Sequence, residues 1–312
     1  LPAAGFLYLK DSMDTQSTSN MATSNMATSN LAEFGFHALP PHRERLRQKA
    51  DVCGYTVLAQ WLISWYRKRA FKDLPDPFDV TIMPGVRARL WPRSNRCEKR
   101  AFAGVHIWDR AEHTALRTAL LASESSPFVF IDAGANVGLY SLILSAKARA
   151  ANKAILILAI EPDSTNRGRL EFNIKASGAD IEVLPFAISG QEGEGVMVGG
   201  DTNRGEVHLT SKQTPDQQTS GQKKPTVPVR TLYGICHEND LSRIDAMKMD
   251  IEGHDEPALR AFFASAPQSL WPKLMVLETG RETTTPLLEL CQANGYTLNT
   301  RTGINSVLSR TD

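Results

Sequence analysis

The chain has 312 residues, 42% of them hydrophobic and 22% charged, and a formal net charge of +1. That is enough apolar material for one large α/β domain plus an appendage, and the near-neutral balance excludes a chain-wide basic face for nucleic acid. Cys53, Cys97, Cys236 and Cys291 form no C-x-x-C pair, so neither a zinc site nor a disulfide framework is expected, and a reduced, cytoplasmic protein is the default reading.

Residues 11 to 30, DSMDTQSTSNMATSNMATSN, are small and polar and bury too little area to offset ordering, so residues 1–31 read as a disordered tail. Leu1 comes first rather than Met, Met13, Met21 and Met26 are alternative starts, and no basic region with a cleavage site precedes Ala32. Residues 32–125 read as a helical and extended appendage. Within it YTVLAQWLISWYRKRAF, residues 55–71, places Val57, Leu58, Trp61, Leu62 and Trp65 at helical spacing ahead of Arg67, Lys68 and Arg69. The favoured reading is a helix packed on its own domain with basic residues near its C-terminal end. The competing one is docking on a membrane surface, a partner or a second copy. No apolar run approaches the roughly 20 residues that span a bilayer. An extended patch follows around FDVTIMPGVRARLWP, then a helix around 109–121.

From residue 126 the pattern changes to a strand and helix rhythm that continues to residue 312. Strands are expected at 128–133, 155–161, 181–186, 244–250 and 273–279, with helices at 138–150, 163–177, 256–265 and 284–294 between them. That alternation predicts a parallel sheet covered on both faces, with ligands at the carboxyl ends of its strands. Residues 191–232 break the rhythm with extra strands, EGVMV, EVHLT and TVPVRTL, around a polar loop, SKQTPDQQTSGQKKP, expected to be mobile and near the mouth of the site.

Chemistry concentrates after the first of these strands, in FVFIDAGANVGLYSLILSAKA. Asp132, Gly134, Asn136 and Gly138 alternate there, with the glycines allowing a tight turn and a close approach of the backbone to a ligand. A dinucleotide site needs G-x-G-x-x-G, which is missing, and Asp132 would repel a pyrophosphate. A carboxylate in that place suits a positively charged ligand, and the ammonium and sulfonium of S-adenosylmethionine provide one. Glu161 closes the next strand, where a carboxylate can accept both hydroxyls of a ribose. The bland alternative is a glycine-rich turn with Asp132 as a helix cap.

FIDAGANVGLYSLILS, AIEPDSTNRGRLEFNI, VLPFAISGQEGEG and IDAMKMDIEGHDEPALRAF together resemble the successive motifs of the FkbM-type S-adenosylmethionine-dependent methyltransferases over roughly residues 80–308. The resemblance implies a Rossmann-like, seven-stranded sheet with helices on both faces and its last strand antiparallel. It also implies methyl transfer, mostly to hydroxyl oxygens of sugars, polyketides and related small molecules. Carried over by position, Asp132, Gly134, Asn136 and Gly138 form the methionine-side loop. Glu161 is the ribose clamp flanked by Pro162 and Asp163, and Ala187 and Ile188 lie by the adenine.

Period-two alternation puts Lys248 and Asp250 on one face of the fourth strand, and Met247, Met249 and Ile251 on the other, buried one. A carboxylate or imidazole at this rim could remove the acceptor proton, which makes Asp250, Glu252 and His254 the candidates. Against that, Lys248 with Asp250 can be a structural ion pair, Asp255 and Glu256 before Pro257 look like a helix N-terminus, and His254 can be a plain loop residue. Glu278 ends the fifth strand, facing either the acceptor or the following segment. The acidic cluster lacks a clear ligand set for a divalent metal. Three readings therefore stand: an O-methyltransferase acting on a carbohydrate or secondary metabolite, a non-catalytic cofactor-binding partner domain, and, with least support, a nicotinamide-dependent oxidoreductase.

Overall fold

The computed structural model describes residues 32–54, 56–105, 108–199, 208–210 and 226–310. The expected tail at 1–31 and the polar loop at 211–225 lie outside the described residues.

The chain enters through α1 (Pro41–Asp51), opened by proline, and α2 (Val57–Ala70), whose first turn is held by Thr56 Oγ1 accepting from the Ala59 amide. The extended patch is an antiparallel pair, β1 (Phe78–Met83) and β2 (Val86–Leu90), turning at Gly85 with φ +84°. Next come α3 (Arg96–Ala101) and α4 (Arg110–Ala122). The helix expected at 55–71 forms and packs on its own domain with Arg67, Lys68 and Arg69 in its last turn, but the side that packs is not the expected apolar stripe. Ala59, Ile63 and Ala70 face inward, while Val57 (84% exposed), Leu58, Trp61 (63%) and Trp65 face out. Ile63 packs with Ala50 of α1 and Ala103. The small side of the helix allows the two backbones to approach closely, which a row of indoles would prevent, and periodicity alone cannot report which side meets the small neighbours.

Beyond residue 126 lie β3 (Phe128–Ala133), α5 (Leu139–Ala150), β4 (Ile155–Ile160), α6 (Ser164–Ser177) and β5 (Glu182–Leu184). The interrupting segment supplies β6 (Ala187–Ile188), β7 (Gly193–Val198), β8 (His208–Thr210) and β9 (Thr226–Arg230), which form a separate four-stranded sheet in the order β6-β9-β7-β8. The chain then runs through α7 (Leu232–Glu238), β10 (Ala246–Met249), α8 (Asp255–Ser265), β11 (Leu274–Glu278), α9 (Pro286–Ala293), β12 (Thr297–Thr302) and β13 (Asn305–Ser309).

The main sheet has seven strands in the order β12-β13-β11-β10-β3-β4-β5. β3, β4, β5, β10 and β11 are mutually parallel, and β13, the last strand, runs antiparallel to β11. From β3 the chain winds outward to β4 and β5, then returns on the other side of β3 for β10 and β11, so strand order reverses between β3 and β10. A crevice forms at such a reversal, beyond the carboxyl ends of the strands.

Alternation sorts the sheet residues to two cores. Phe128, Phe130, Ala246 and Val276 join one, with α5 and residues as early as Leu39, Val80, Phe102 and Leu116. Ile131, Ala133, Met247, Met249 and Leu277 join the other, with α8. Fully burying a side chain such as Phe130 contributes on the order of 1.5–3 kcal/mol, so both faces of the strand are strongly specified. The same arithmetic puts Asp132, Lys248 and Glu278 on the first face.

Candidate active site

Strand register assembles the site. Lys248 pairs with Asp132 on one side and Val276 on the other, and Met249 pairs with Leu277. One step further, Asp250 and Glu278 stand side by side at the carboxyl rim. The Asp250 amide donates to the Ala133 carbonyl at 3.1 Å, continuing the ladder past the ends of both strands.

The turn after β3 is shaped by this closeness. Gly134 has φ +74°, and a Cβ there would lie 1.9 Å from the Asp250 carbonyl oxygen. Only glycine fits. The amides of Gly134 and Ala135 both donate to the Ile160 carbonyl at 3.0 Å, tying the loop to the end of β4. Asn136 is left-handed at φ +53°, and Gly138, at φ +83°, opens α5.

Asp132 is buried, with Oδ2 accepting from Ser141 Oγ at 2.6 Å and from the Ser141 amide at 3.2 Å. Its Oδ1 has no hydrogen-bond partner among the described residues, and Lys248 Nζ lies 3.9 Å away. Burial raises the Asp132 carboxyl against the opposing pull of Lys248 and Ser141. Lys248 donates to the Gly134 carbonyl at 2.7 Å and lies 3.7 Å from Asp250 Oδ2. Burial alone would lower its ammonium, but Asp250 and Asp132 together hold it raised. An unpaired carboxylate oxygen behind a glycine turn fits a ligand bearing positive charge.

Glu161 is also buried, and each of its oxygens accepts one backbone amide, from Asn136 at 2.7 Å and from Asp163 at 2.9 Å. Each keeps a further lone pair, the requirement for accepting two adjacent hydroxyls. Burial pushes this carboxyl up to about 7 despite the two amides. Pro162 follows it, and Asp163 caps α6 by accepting from the Asn166 amide at 2.8 Å. Ala187 and Ile188 are buried in β6.

A cavity of about 360 Å³ opens at the rim, walled by Asn136, Tyr140, Lys248, Asp250, Glu252 and Glu278 among others. Burial, and then the negative charge of Asp250 with which it shares a hydrogen bond, pushes Glu278 up to about 8; Glu252 and Asp255 add to this. A Glu278 carboxyl that keeps its proton donates it to the Asp250 side chain, which occupies one of the lone pairs that could otherwise accept from a neighbouring hydroxyl. His254 is not on this wall. It precedes α8, with its Nδ1 3.0 Å from Ser189 Oγ beside β6. Asp132 and Gly138, which flank the turn, also lie off the wall, as do Glu161, Pro162, Asp163, Ala187 and Ile188. Among the described residues no three His, Cys, Asp or Glu side chains are arranged to hold a metal ion.

The region before β3 completes the site, and its motifs do not single out the residues it sends there. Asn95 Nδ2 donates to Asn136 Oδ1 at 2.9 Å, while its own Oδ1 caps α3. Asn three residues before Glu98 is a readable helix-start signal, although nothing in it reports the contact with the glycine turn. Asp109 accepts from the Tyr140 hydroxyl at 2.9 Å, and burial pushes it up to about 6. Lys248 Nζ sits 5.7 Å from the Tyr140 ring centroid.

Comparison with known proteins places this geometry in context. The sequence profile described as the methyltransferase FkbM domain matches residues 132–298. A methyltransferase of Sordaria araneosa, sdnD, is 28% identical over 161 residues, covering 44% of this chain and 60% of that protein. The chain thus spans less than two thirds of the curated relative it matches. Among solved structures, a precorrin-6y C5,15-methyltransferase of Geobacter metallireducens is 13% identical with a TM-score of 0.39, over 66% of this chain and 90% of its own. A SAM-dependent methyltransferase of Agrobacterium tumefaciens is 13% identical with a TM-score of 0.40, over 76% and 70%.

Proposed function

The chain belongs to the FkbM methyltransferase family, and from that premise we propose that it methylates a hydroxyl oxygen of a small molecule such as a sugar, polyketide or related metabolite. S-adenosylmethionine, when bound, supplies a methyl group already activated on a sulfonium. The protein's share is to align the acceptor and handle its proton.

Asp132, with its unpaired Oδ1, and the Gly134–Asn136–Gly138 turn would hold the charged methionine end of the cofactor. Glu161, flanked by Pro162 and Asp163, would take the ribose hydroxyls, and Ala187 and Ile188 would border the adenine. Lys248 keeps Asp132 and Asp250 apart and fixes the turn through the Gly134 carbonyl. Asp250 takes the acceptor proton, with Glu278 beside it setting when it is free to do so and Glu252 on the same wall. His254, off that wall, is assigned no proton transfer.

The observation that carries this reading is the Asp250–Glu278 pair at the rim of a cavity floored by the glycine turn. Incubating the protein with labelled S-adenosylmethionine and fractionated small-molecule extracts, then identifying the labelled product, tests it. An O-methylated small molecule is expected. A chain that binds S-adenosylhomocysteine yet labels nothing from any source would point to a partner domain, and preference for NAD over S-adenosylhomocysteine in calorimetry would remove the methyltransferase reading.

A further inference from the structure

Beside the rim cavity lies a larger cleft of about 1430 Å³ between α2, α4 and the β12–β13 turn. The two share Arg100, Trp108, Asp109, Ile304 and Asn305 on their walls, so the cleft adjoins the cavity that Asp250 lines. The volume of the cleft exceeds the roughly 300–1000 Å³ of ordinary small-ligand pockets, which leaves room for an acceptor much larger than the group that is methylated.

The charge of the cleft runs opposite to that of the rim. Arg67 of α2, Arg100 of α3 and Arg281 after β11 contribute guanidinium groups to its wall. Arg67 Nε is buried with no hydrogen-bond partner among the described residues. Burial and the neighbouring Arg100 both depress the Arg67 guanidinium, so these two cations oppose each other. The wall also carries two acids: the charge of Arg100 acts on Asp109, and one Glu112 oxygen has no hydrogen-bond partner among the described residues, which leaves Arg67 as the cation with no acid named against it. Asp109 accepts from Tyr140, and Glu112, buried, accepts from the Thr302 hydroxyl. Arg100 is exposed and can be screened by water, whereas a buried Arg67 N–H without a partner is costly unless an acceptor enters the cleft. The planar donor forks of the two arginines match the geometry of an oxyanion.

We propose that the methyl acceptor is a hydroxylated molecule bearing an oxyanion, carboxylate or phosphate, held by Arg67 and Arg100 while its hydroxyl reaches Asp250. The inference rests on the methyltransferase reading and adds the acceptor's charge to it. The dipolar cleft then orients the acceptor, because its anionic end is repelled by Asp250 and Glu252 and drawn to the arginines.

Binding of glucuronate, glucose 6-phosphate and glucose to the full chain, measured by calorimetry with S-adenosylhomocysteine present, tests the proposal. The three probes share one pyranose ring and differ in the group at C6, and glucuronate matches glucose in size. At least one anion is expected to bind about tenfold or more tightly than glucose, with the advantage shrinking as salt is raised. Whether glucuronate or glucose 6-phosphate leads distinguishes carboxylate from phosphate. The Arg67→Ala/Arg100→Ala variant should lose the advantage, and Arg67→Ala alone, off the wall of the rim cavity, should lose part of it while binding S-adenosylhomocysteine as the parent does. Equal binding of all three probes, or an anion preference that survives in the double variant, overturns the proposal. S-adenosylhomocysteine affinity in the same samples reports on the methyltransferase reading independently.

Discussion

Arg89 and Asp79 meet between β1 and β2 with neither side chain exposed, through contacts of 2.7 and 2.9 Å, and Asp79 Oδ2 also accepts the amides of Gly35 and His37. Arg89 stacks 4.0 Å from the centre of the Phe172 ring. At the carboxyl rim, Lys248 faces Asp132 and Asp250 at 3.9 and 3.7 Å, one Asp132 oxygen has no hydrogen-bond partner among the described residues, and Glu278 adds another acid. The residue types are similar and the states differ. The first cluster is neutral and closed, with its charges matched in number and geometry, as a structural ion pair requires. The second carries more acid than base at distances beyond hydrogen bonding, which costs stability and leaves room for a ligand to supply positive charge and for a proton to move.

The contrast can be broken most sharply at its closed end. Asp79→Ala leaves the Arg89 guanidinium buried without its partner and should cost about 3–5 kcal/mol, read as a large drop in the urea midpoint. Asp250→Asn should leave that midpoint near the parental value, because it removes one of several crowded negative charges. If Asp250→Asn destabilises as deeply as Asp79→Ala, the Lys248–Asp250 contact is a structural pair and the contrast fails.

Next in size is the chemical effect. Asp250→Asn and Glu252→Gln keep shape and lose basicity, so at least one should lower turnover by roughly a hundredfold, about 2.7 kcal/mol, with cofactor binding nearly intact. Parental turnover in both would shift attention to Glu278. Glu161→Ala should weaken S-adenosylhomocysteine binding by about 2 kcal/mol, as expected for hydrogen bonds to a charged group, with the fold retained. An unchanged dissociation constant would move the ribose elsewhere.

The smallest effect is a pH slope. Glu278 is raised from its usual value near 4.5 to about 8, so the folded chain holds a proton there that the unfolded chain has released. Its contribution to stability is full below the unfolded value and is lost as pH rises through about 8, so the Tm of the ligand-free protein should fall across that window. Glu161, raised to about 7, adds to the slope in the same direction. Turnover should run the other way, rising with pH as Glu278 releases its proton and frees the Asp250 lone pair it occupied. Glu278→Gln should flatten this part of the stability slope, and a slope identical to the parent's would mean that Glu278 is not raised.

Much of the sheet could be read from residue order because burial on both faces leaves a dense, β-branched imprint. FVFIDA and ILILAI announce their strands, and the intervening glycines announce a turn. β12 was beyond that method. Thr297–Thr302 is largely exposed, with no apolar alternation to read, and the antiparallel end of the sheet came only through family resemblance. Lys248 and Asp250 on one strand face, and Asp132 and Glu161 at strand ends, were likewise legible, since period two and chain position decide them.

Other features depended on which surfaces met. The apolar stripe of α2 is legible in its spacing, yet the helix packs through Ala59, Ile63 and Ala70 instead, a side without indoles. Asn95 reaches Asn136 across 41 residues of sequence, and Arg67, Arg100 and Arg281 share a cleft while lying on α2, on α3 and in the segment after β11. Local order determines the period of each element and the residues at its ends, because backbone geometry repeats over two or 3.6 residues. The pairing of distant side chains, the lone Asp132 oxygen and the unpaired Arg67 N–H were decided only by tertiary structure, because burial and proximity are properties of packed surfaces that no short window of sequence contains.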